Sequence, residues 1–444
     1  MKRYDSYKDS GVEWMNEIPS NWGKSRIRMV GNLYGGLTGK KGNDFNDEDN
    51  LSNKPFVPFT NIFNNTYISK EHFQYVNVEE GENQNRVLKN DLLFLMSSES
   101  YEDLGKCSIL LEEVEELYLN SFCKGYRVKD LKVYPLFLNY QLLGSLHKEM
   151  ISIEGNGFTR INLRQDRLLD IPVFIPPLSE QQQIVSILDT KTSLIDSLIE
   201  KTQQKIELLK EKRTSLINEV VTKGLNPNVV MKDSGVEWIG EIPNGWTIPK
   251  MSYILEGITD GTHGTHERVD EGELFLSSKN VTNKGIFIGE KESQITTEEH
   301  EKIVKKGYPV KGDVLITVVG SIGRSCVYEY DYPISFQRSV CFLRLKKTIN
   351  EYFMNFLINS DVIQFQLLKN TKKSTQGGIY MNDLKRFNII LPSLPEQHQI
   401  VEYLDEKTGL IDKTISIEEK RIELLKEYRQ SLISEVVTGK RKVA

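Results

Sequence analysis

The 444-residue chain is poor in the residues on which catalytic, metal-binding and disulfide-stapled proteins are built. It has six histidines and four scattered cysteines, Cys107, Cys123, Cys326 and Cys341. With no Cys-x-x-Cys pair among them, a disulfide scaffold and an all-cysteine zinc site are excluded, and a reducing, cytoplasmic setting fits. No run approaches the roughly 18 uninterrupted apolar residues of a membrane helix. The opening Met1-Lys2-Arg3-Tyr4-Asp5 has no apolar core, so it does not read as a signal peptide, and no membrane partner is expected. Neither sign of charge dominates: 57 Lys and Arg against 62 Asp and Glu leave −5, which excludes a polycationic binder.

Catalytic fingerprints are missing too. Gly35-Gly36-Leu37-Thr38-Gly39-Lys40-Lys41 has the wrong glycine spacing for a phosphate loop and no Ser or Thr after the lysine. There is no Gly-x-Gly-x-x-Gly, no Gly-x-Ser-x-Gly and no Asn-Pro-Pro-Tyr. His263-x-x-His266 with Glu267 falls short of the three or four well-placed ligands a zinc site needs, and reads instead as a loop touching phosphate or bases. The expectation is a chain with no catalytic residue, no metal and no cofactor of its own.

What the sequence does contain is a doubled plan. Asp9-Ser10-Gly11-Val12-Glu13-Trp14 recurs as Asp233-Ser234-Gly235-Val236-Glu237-Trp238, and ten of the 14 positions in 9–22 are identical 224 residues later. A second block repeats at an offset of 216: Ile206 to Thr222 matches Ile422 to Thr438 at 14 of 17 positions. A period this long doubles a domain plan rather than building a solenoid. The resulting divisions are 1–175, 176–224, 225–391 and 392–444.

The second block reads as a long helix in each copy. After Pro176-Pro177-Leu178 no proline or glycine occurs until Gly224, and Glu, Lys, Gln, Leu and Ile dominate. Ser179 is a suitable start, and Gly224 and Gly439 suit the two ends. Apolar positions recur in heptads: Ile195, Thr202, Leu209 and Leu216 beside Ile199, Ile206, Arg213 and Val220. The second copy repeats them as Ile411, Glu418, Leu425 and Leu432 beside Ile415, Ile422, Arg429 and Val436. So narrow a stripe suits a helix–helix seam, with the two copies as antiparallel partners; the alternative is that each helix packs only on its own globular region. Arg213 and Arg429 interrupt the stripe at equivalent places. Each either packs its stem with a solvated head or sets the register.

Between the shared blocks lie two divergent regions with the short strands and glycine- and asparagine-rich turns of mixed α/β domains. Each also holds one apolar helical stretch, near Tyr134–Lys148 and Tyr352–Lys369. Scattered anchors relate them: Asn90-Asp91-Leu92 to Gly312-Asp313-Val314, Leu104-Gly105-Lys106 to Ile322-Gly323-Arg324, and Ser121-Phe122 to Ser335-Phe336. Their net charges, −3 over 23–175 and +2 over 247–391, do not by themselves suggest nucleic acid. Their loops do. Ser335-Phe336-Gln337-Arg338-Ser339 offers the side-chain types that read adenine and guanine edges bidentately. Lys372-Lys373-Ser374-Thr375-Gln376 and Gly155-Asn156-Gly157-Phe158-Thr159-Arg160 suit phosphate contact.

Taken together, the paired Gly-Val-Glu-Trp…Ile-Pro…Trp entries at 11–22 and 235–246, and Pro-Pro-Leu-Ser-Glu-Gln at 176–181 with Pro-Ser-Leu-Pro-Glu-Gln at 392–397, resemble the specificity subunits of type I restriction–modification systems over the whole chain. The resemblance implies an α+β fold. Two mixed α/β target recognition domains would be separated by two long helices paired as an antiparallel coiled coil, with an internal pseudo-two-fold repeat. It implies a non-catalytic DNA-recognition subunit that reads a bipartite, asymmetric double-stranded target. Two methylation subunits would dock on its helices and restriction subunits join through the complex, which would use S-adenosylmethionine, ATP and magnesium. The residues assigned to DNA are Lys40, Lys41, Thr60, Asn61, Thr159 and Arg160 in the first region. In the second they are Thr262, His263, Lys279, Asn280, Arg324, Gln337, Arg338, Thr375 and Gln376. Glu180, Gln181, Glu396 and Gln397 are assigned to partner docking. The competing readings are a coiled-coil adaptor with protein-binding variable domains and a single-chain DNA-modifying enzyme.

Overall fold

The repeated Asp-Ser-Gly-Val is a turn that satisfies its own backbone. Asp9 Oδ1 accepts from the Gly11 N–H at 2.8 Å and Ser10 Oγ from the Val12 N–H at 3.0 Å; Asp233 and Ser234 do the same for Gly235 and Val236 at 2.9 and 3.1 Å. Gly11 and Gly235 sit at φ +63° and +73°, where a side chain would be strained. Each turn closes a short antiparallel hairpin, Tyr7–Asp9 with Glu17–Pro19 and Met231–Asp233 with Glu241–Pro243. The computed structural model describes residues 2–12, 15–45, 53–371 and 377–443, so Glu13 and Trp14 of the first repeat lie outside the described residues.

The chain forms two units. One comprises Met1–Thr202 with Lys420–Ala444, the other Gln203–Glu419. Division by contact therefore differs from division by sequence, because each long helix contributes one half to each unit. The first helix spans Leu178–Lys223 and the second Leu394–Val437.

Both units contain the same two sheets despite their divergent sequences. In the first, an antiparallel sheet runs Gly31–Gly35, Cys123–Val128, Leu92–Leu95, Cys107–Ile109. In the second, it runs Leu255–Asp260, Val340–Leu345, Val314–Thr317, Ser325–Val327. A smaller sheet adds Tyr118–Leu119 parallel to Asn53–Val57, and correspondingly Ser335–Phe336 parallel to Glu273–Leu276. Two of the three sequence anchors are structural equivalents. Asp91 and Asp313 are buried and grip Arg127 and Arg344 with paired bonds of 2.7–3.0 Å. The Gly105 N–H reaches Leu95 O at 3.0 Å, as the Gly323 N–H reaches Thr317 O at 2.9 Å.

Each apolar helical stretch is two helices rather than one. Pro135–Leu143 is followed by Ser145–Ile153, and Glu351–Ile358 by Asp361–Asn370. The break occurs because the second helix of each pair docks on a long helix by its first backbone N–H: Ser145 donates to Ser434 Oγ at 2.7 Å and Asp361 to Asn218 Oδ1 at 2.8 Å.

The long helices pair antiparallel in both units. In the second unit Lys205 meets Glu418 at 2.6 Å and Arg213 meets Asp412 at 3.1 Å, so position rises on one helix as it falls on the other. In the first, Arg429 grips Asp196 with bonds of 2.8 and 3.2 Å. Arg213 and Arg429 are 216 residues apart, as are Asp196 and Asp412, so the two ion pairs are one contact made twice. The stripe arginines thus mark the register. The helix ends also enter the domain cores: Ile184, Leu188 and Ile195 join Leu432 and Val436 in one, Val220 and Val221 join Ile400 and Leu404 in the other.

A tryptophan ties each pair of helix ends to its hairpin. Trp22 is fully buried and donates Nε1–H to Glu180 at the start of the first helix, at 3.0 Å. Its ring covers Gly439 beyond the second, where a Cβ would sit 2.4 Å from Pro19 Cδ. Trp246 repeats this with Glu396 at 2.9 Å and with Gly224. The two glycines adopt φ +73° and +76°.

Two predictions follow from this packing. Arg213→Ala and Asp412→Ala should be non-additive, with a coupling of about 1 kcal/mol in a double-mutant cycle read by thermal melting, since the pair is only partly shielded; additive losses would remove its register role. Burial pushes the His147 imidazole down to about 4 from the usual 6.5, with Nε2 on Pro172 O at 3.0 Å. The unfolded chain takes up a proton in that window that the folded chain refuses. Stability is therefore complete above pH 6.5 and falls as the pH drops toward 4, by about 3 kcal/mol at the bottom. Melting from pH 7 to 5 should show a steeper decline for the wild type than for His147→Gln.

Candidate nucleic-acid interface

In the second unit, loops separated in sequence are laced together by main-chain bonds. Gly261 passes so close to the 336–337 backbone that a Cβ would lie 2.3 Å from Gln337 O, which makes glycine obligatory there. The Thr262 N–H donates to Phe336 O at 2.8 Å, the Arg338 N–H to Thr262 O at 3.1 Å, and the Gln337 N–H to Leu276 O at 2.8 Å. The Ser278 N–H donates to Ser339 Oγ at 3.0 Å, placing Lys279 beside them. The Gly320–Arg324 loop joins through Gly320, where a Cβ would be 3.2 Å from Ser278 Oγ. Thr262, Lys279, Gln337 and Arg338 thus share one rigid loop cluster. Arg338 and Arg324 are exposed, with no guanidinium ion pair among the described residues.

His263 is exposed and shares a hydrogen bond of 2.8 Å with Asp260, whereas His266 turns to Glu299 at 2.9 Å. The two rings answer to different carboxylates, and no group of three metal-type ligands occurs among the described residues. Lys279 pairs with Glu292 at 2.8 Å while staying 59% exposed, and its ammonium holds that carboxyl below the usual range. Glu292 is only 7% exposed, so Lys279 stays with its carboxylate and is held at the edge of the cluster.

The first unit repeats the lacing. Leu37 N–H reaches Leu119 O at 2.8 Å, Asn120 N–H reaches Val57 O at 3.1 Å, and Cys123 N–H returns to Asn120 O at 3.0 Å, matching Thr262, Gln337 and Val340. The anchor that set Ser121-Phe122 against Ser335-Phe336 is therefore three residues out of register. Asn120 stands where Gln337 does, and Ser121-Phe122 where Arg338-Ser339 do. Burial of strand residues had to be seen before the matching backbone could be identified.

A hairpin completes the first unit's surface. Gly155–Asn156 pairs with Ile161–Leu163, which pairs in turn with Ser97–Ser98. Phe158 at its tip is fully exposed, and Thr159 beside it is exposed too. Arg160 donates to Ser97 Oγ at 3.0 Å and lies 5.3 Å from the ring centre of Phe122, itself 61% exposed. Tyr101 donates to Gly157 O at 3.3 Å. Aromatic rings held in water beside a guanidinium are unusual unless something covers them. Sequence reasoning quoted the hairpin but missed Phe122, Phe158, Tyr101 and Asn120, because an aromatic residue carries no local sign of facing outward.

Several assignments need correction. Asn61 and Asn280 are buried. Asn61 Nδ2 donates to Ser69 O at 2.8 Å, and Asn280 bonds Ser277 N–H and Phe287 O at 3.0 Å each, so both pin loops from inside. Lys40 is only 10% exposed and spends its charge on Glu82 at 2.5 Å. Gln181 and Gln397 are also buried: each accepts the backbone N–H that starts a domain helix, from Tyr134 at 2.7 Å and Asn350 at 2.8 Å. A docking surface cannot include them. Glu180 and Glu396 are committed to the tryptophans described above. Lys41 and Thr60 are exposed. Thr375 and Gln376 lie outside the described residues; beyond them the Ile379 N–H on Val318 O at 3.0 Å matches the Leu163 N–H on Met96 O at 2.9 Å. All four cysteines are buried, and burial pushes the thiols of Cys107, Cys123 and Cys326 up to about 12.

Comparison with known proteins places these features. A family profile described as the type I restriction modification DNA specificity domain matches residues 19–208 and 268–427. The type I restriction enzyme EcoBI specificity subunit of Escherichia coli is 22% identical over 345 residues, covering 73% of this chain and 69% of that protein. The MjaVIII specificity subunit of Methanocaldococcus jannaschii is 26% identical over 450 residues, covering 98% and 97%. Among solved structures, a chain from work on assembly and conformational transition of the type I R-M system matches with TM-score 0.69 at 15% identity, covering 96% of this chain and 99% of that one. The HsdS subunit from Thermoanaerobacter tengcongensis matches at 0.53, also at 15% identity, covering 96% and 98%. At that identity the two structures speak to the fold alone.

Proposed function

The chain belongs to the type I restriction–modification DNA specificity family, and from that membership we propose that it reads a bipartite, asymmetric duplex target, one half-site with each unit's loop cluster. The observation that carries the reading is the twice-built cluster: the same backbone lacing presents Asn120-Ser121-Phe122 in one unit and Gln337-Arg338-Ser339 in the other. Asn and Gln amides suit adenine, an arginine suits guanine, and an exposed phenyl ring suits a thymine methyl or a base step. Different side chains on one scaffold mean different half-sites. Lys41, Thr60, Thr159, Arg160, Thr262, His263, Lys279 and Arg324 supply the surrounding phosphate and base contacts.

With a formal charge of −5 the chain has little surplus to neutralise phosphates. We assign that task, and catalysis with S-adenosylmethionine, ATP and magnesium, to methylation and restriction subunits in the cytoplasm; this subunit is non-catalytic. Two methylation subunits dock on the outward helix faces. Leu194 and Leu410, 216 residues apart, are 62% and 56% exposed. Leu208 and Leu424 repeat the relation at 65% and 53%, and Ile417 is 59% exposed. An apolar row at heptad spacing on the water side of a helix awaits a partner helix.

A map of modified adenines across the host genome should lose one bipartite motif when the gene is deleted; an unchanged map would favour the adaptor reading. Arg338→Ala should relax one half-site and leave the other, costing about 1–3 kcal/mol at one base pair. Leu410→Asp should abolish co-purification of a methylation subunit while leaving the melting temperature within a few degrees; retained co-purification would remove that face from the docking surface.

A further inference from the structure

The first unit contains a cavity of ≈ 770 Å³ lined by none of the residues assigned above to DNA. Its walls include Tyr67, Lys106, Lys148, Asp189, Asp196 and Arg429. The two carboxylates are already satisfied. Asp189 Oδ1 accepts from the hydroxyls of Tyr67 and Tyr140 at 2.5 and 2.6 Å, and Asp196 holds Arg429. The lysines are less well matched. Lys106 Nζ lies 3.9 Å from Asp103 and 4.6 Å from the ring centre of Phe63, and Lys148 has no ion pair among the described residues. Lys148 is part-buried, and burial with the neighbouring Lys106 charge lowers its pKa. Two ammonium groups at one half-open cavity, with a single long ion pair between them, leave positive charge there that an anion can offset.

The second unit supplies the control. Ser145 and Asp361 begin equivalent helices, so Lys148, three residues on, corresponds to Gln364. Gln364 is neutral, and its Nε2 donates to Gly323 O at 2.9 Å and to Ile358 O at 2.8 Å. Lys106 corresponds to Arg324 by the backbone bonds of the Gly105 and Gly323 loops. At the position equivalent to Lys148 the second unit has the neutral Gln364, so among the described residues this pair of cations occurs in the first unit.

We propose that this cavity is a binding site for a phosphate-bearing small molecule, with Lys106 and Lys148 as the charged ligands and Arg429, fixed by Asp196, at its rim. A tetrahedral oxyanion matches several convergent N–H donors, and the volume is in the range of about 300–1,000 Å³ typical of small-ligand sites, larger than phosphate alone requires. Inorganic phosphate and a nucleoside triphosphate share the recognised chemistry.

Calorimetric titration of the purified full-length chain with inorganic phosphate and, separately, with ATP tests this, in chloride of matched ionic strength. Both should saturate, ATP at the lower concentration if a nucleotide is the natural occupant and phosphate at the lower concentration if it is not. Lys148→Gln, which installs the residue its counterpart already tolerates, should weaken binding about tenfold or more. Lys106→Gln gives an independent reading should the first variant fold poorly. Equal affinity in the wild type and both variants, or heat that chloride reproduces, overturns the site. If neither probe binds the wild type while Lys148→Gln weakens duplex DNA binding, the lysines serve the DNA backbone and the small-molecule site is overturned while the recognition role stands.

Discussion

The antiparallel pairing of the two long helices is the constraint on which the rest depends. Neither helix could bury its heptad stripe alone, and a stripe by itself permits many registers. Arg429 with Asp196 removes that freedom, because an arginine fork is satisfied at one offset and not at the next, and Arg213 comes to Asp412 at the equivalent place. With the offset fixed, Glu180 and Gly439 come to the same tryptophan, and Glu396 and Gly224 to the other. The hairpins, the first strands of each domain and finally the loop clusters hang from those tryptophans. A pair of partly exposed ion pairs is worth little in free energy; their value lies in selecting one arrangement from several.

The two domains show how far a scaffold can be separated from what it presents. Buried Asp91 and Asp313, the left-handed turns at Asn90 and Gly312, and the close passages at Gly36 and Gly261 are held in both. These positions answer to backbone geometry, where few residue types are tolerated. The side chains at the loop tips answer to nothing inside the fold. They are free to differ, and so Asn120 and Phe122 stand on the same backbone as Gln337 and Ser339.

The sequence made much of this legible. Both long helices, their ends at Gly224 and Gly439, their mutual partnership and the anchors at Asp91 and Gly105 are all readable, because heptads, caps and obligatory glycines are local signals. Less of the interface was. Asn61, Asn280, Gln181 and Gln397 have the composition of contact residues but bond to the main chain inside the fold. Their amides carry two donors and an acceptor that serve a loop as well as a base. The helix split near Gly144 escaped too, since it depends on Ser434, 289 residues from Ser145.

The amino-acid sequence by itself determined that the plan is doubled, that helices alternate with mixed domains, and that the halves diverge between their shared blocks, because each follows from periodicity or identity along one line of residues. Only the tertiary structure decided which polar groups face water, that the stripe arginines meet aspartates across the helix pair, and that one unit brings two lysines to one cavity. Those outcomes depend on which distant segments meet, and a hydrogen-bonding group does not reveal in sequence whether its partner is the protein's own backbone or something still to arrive.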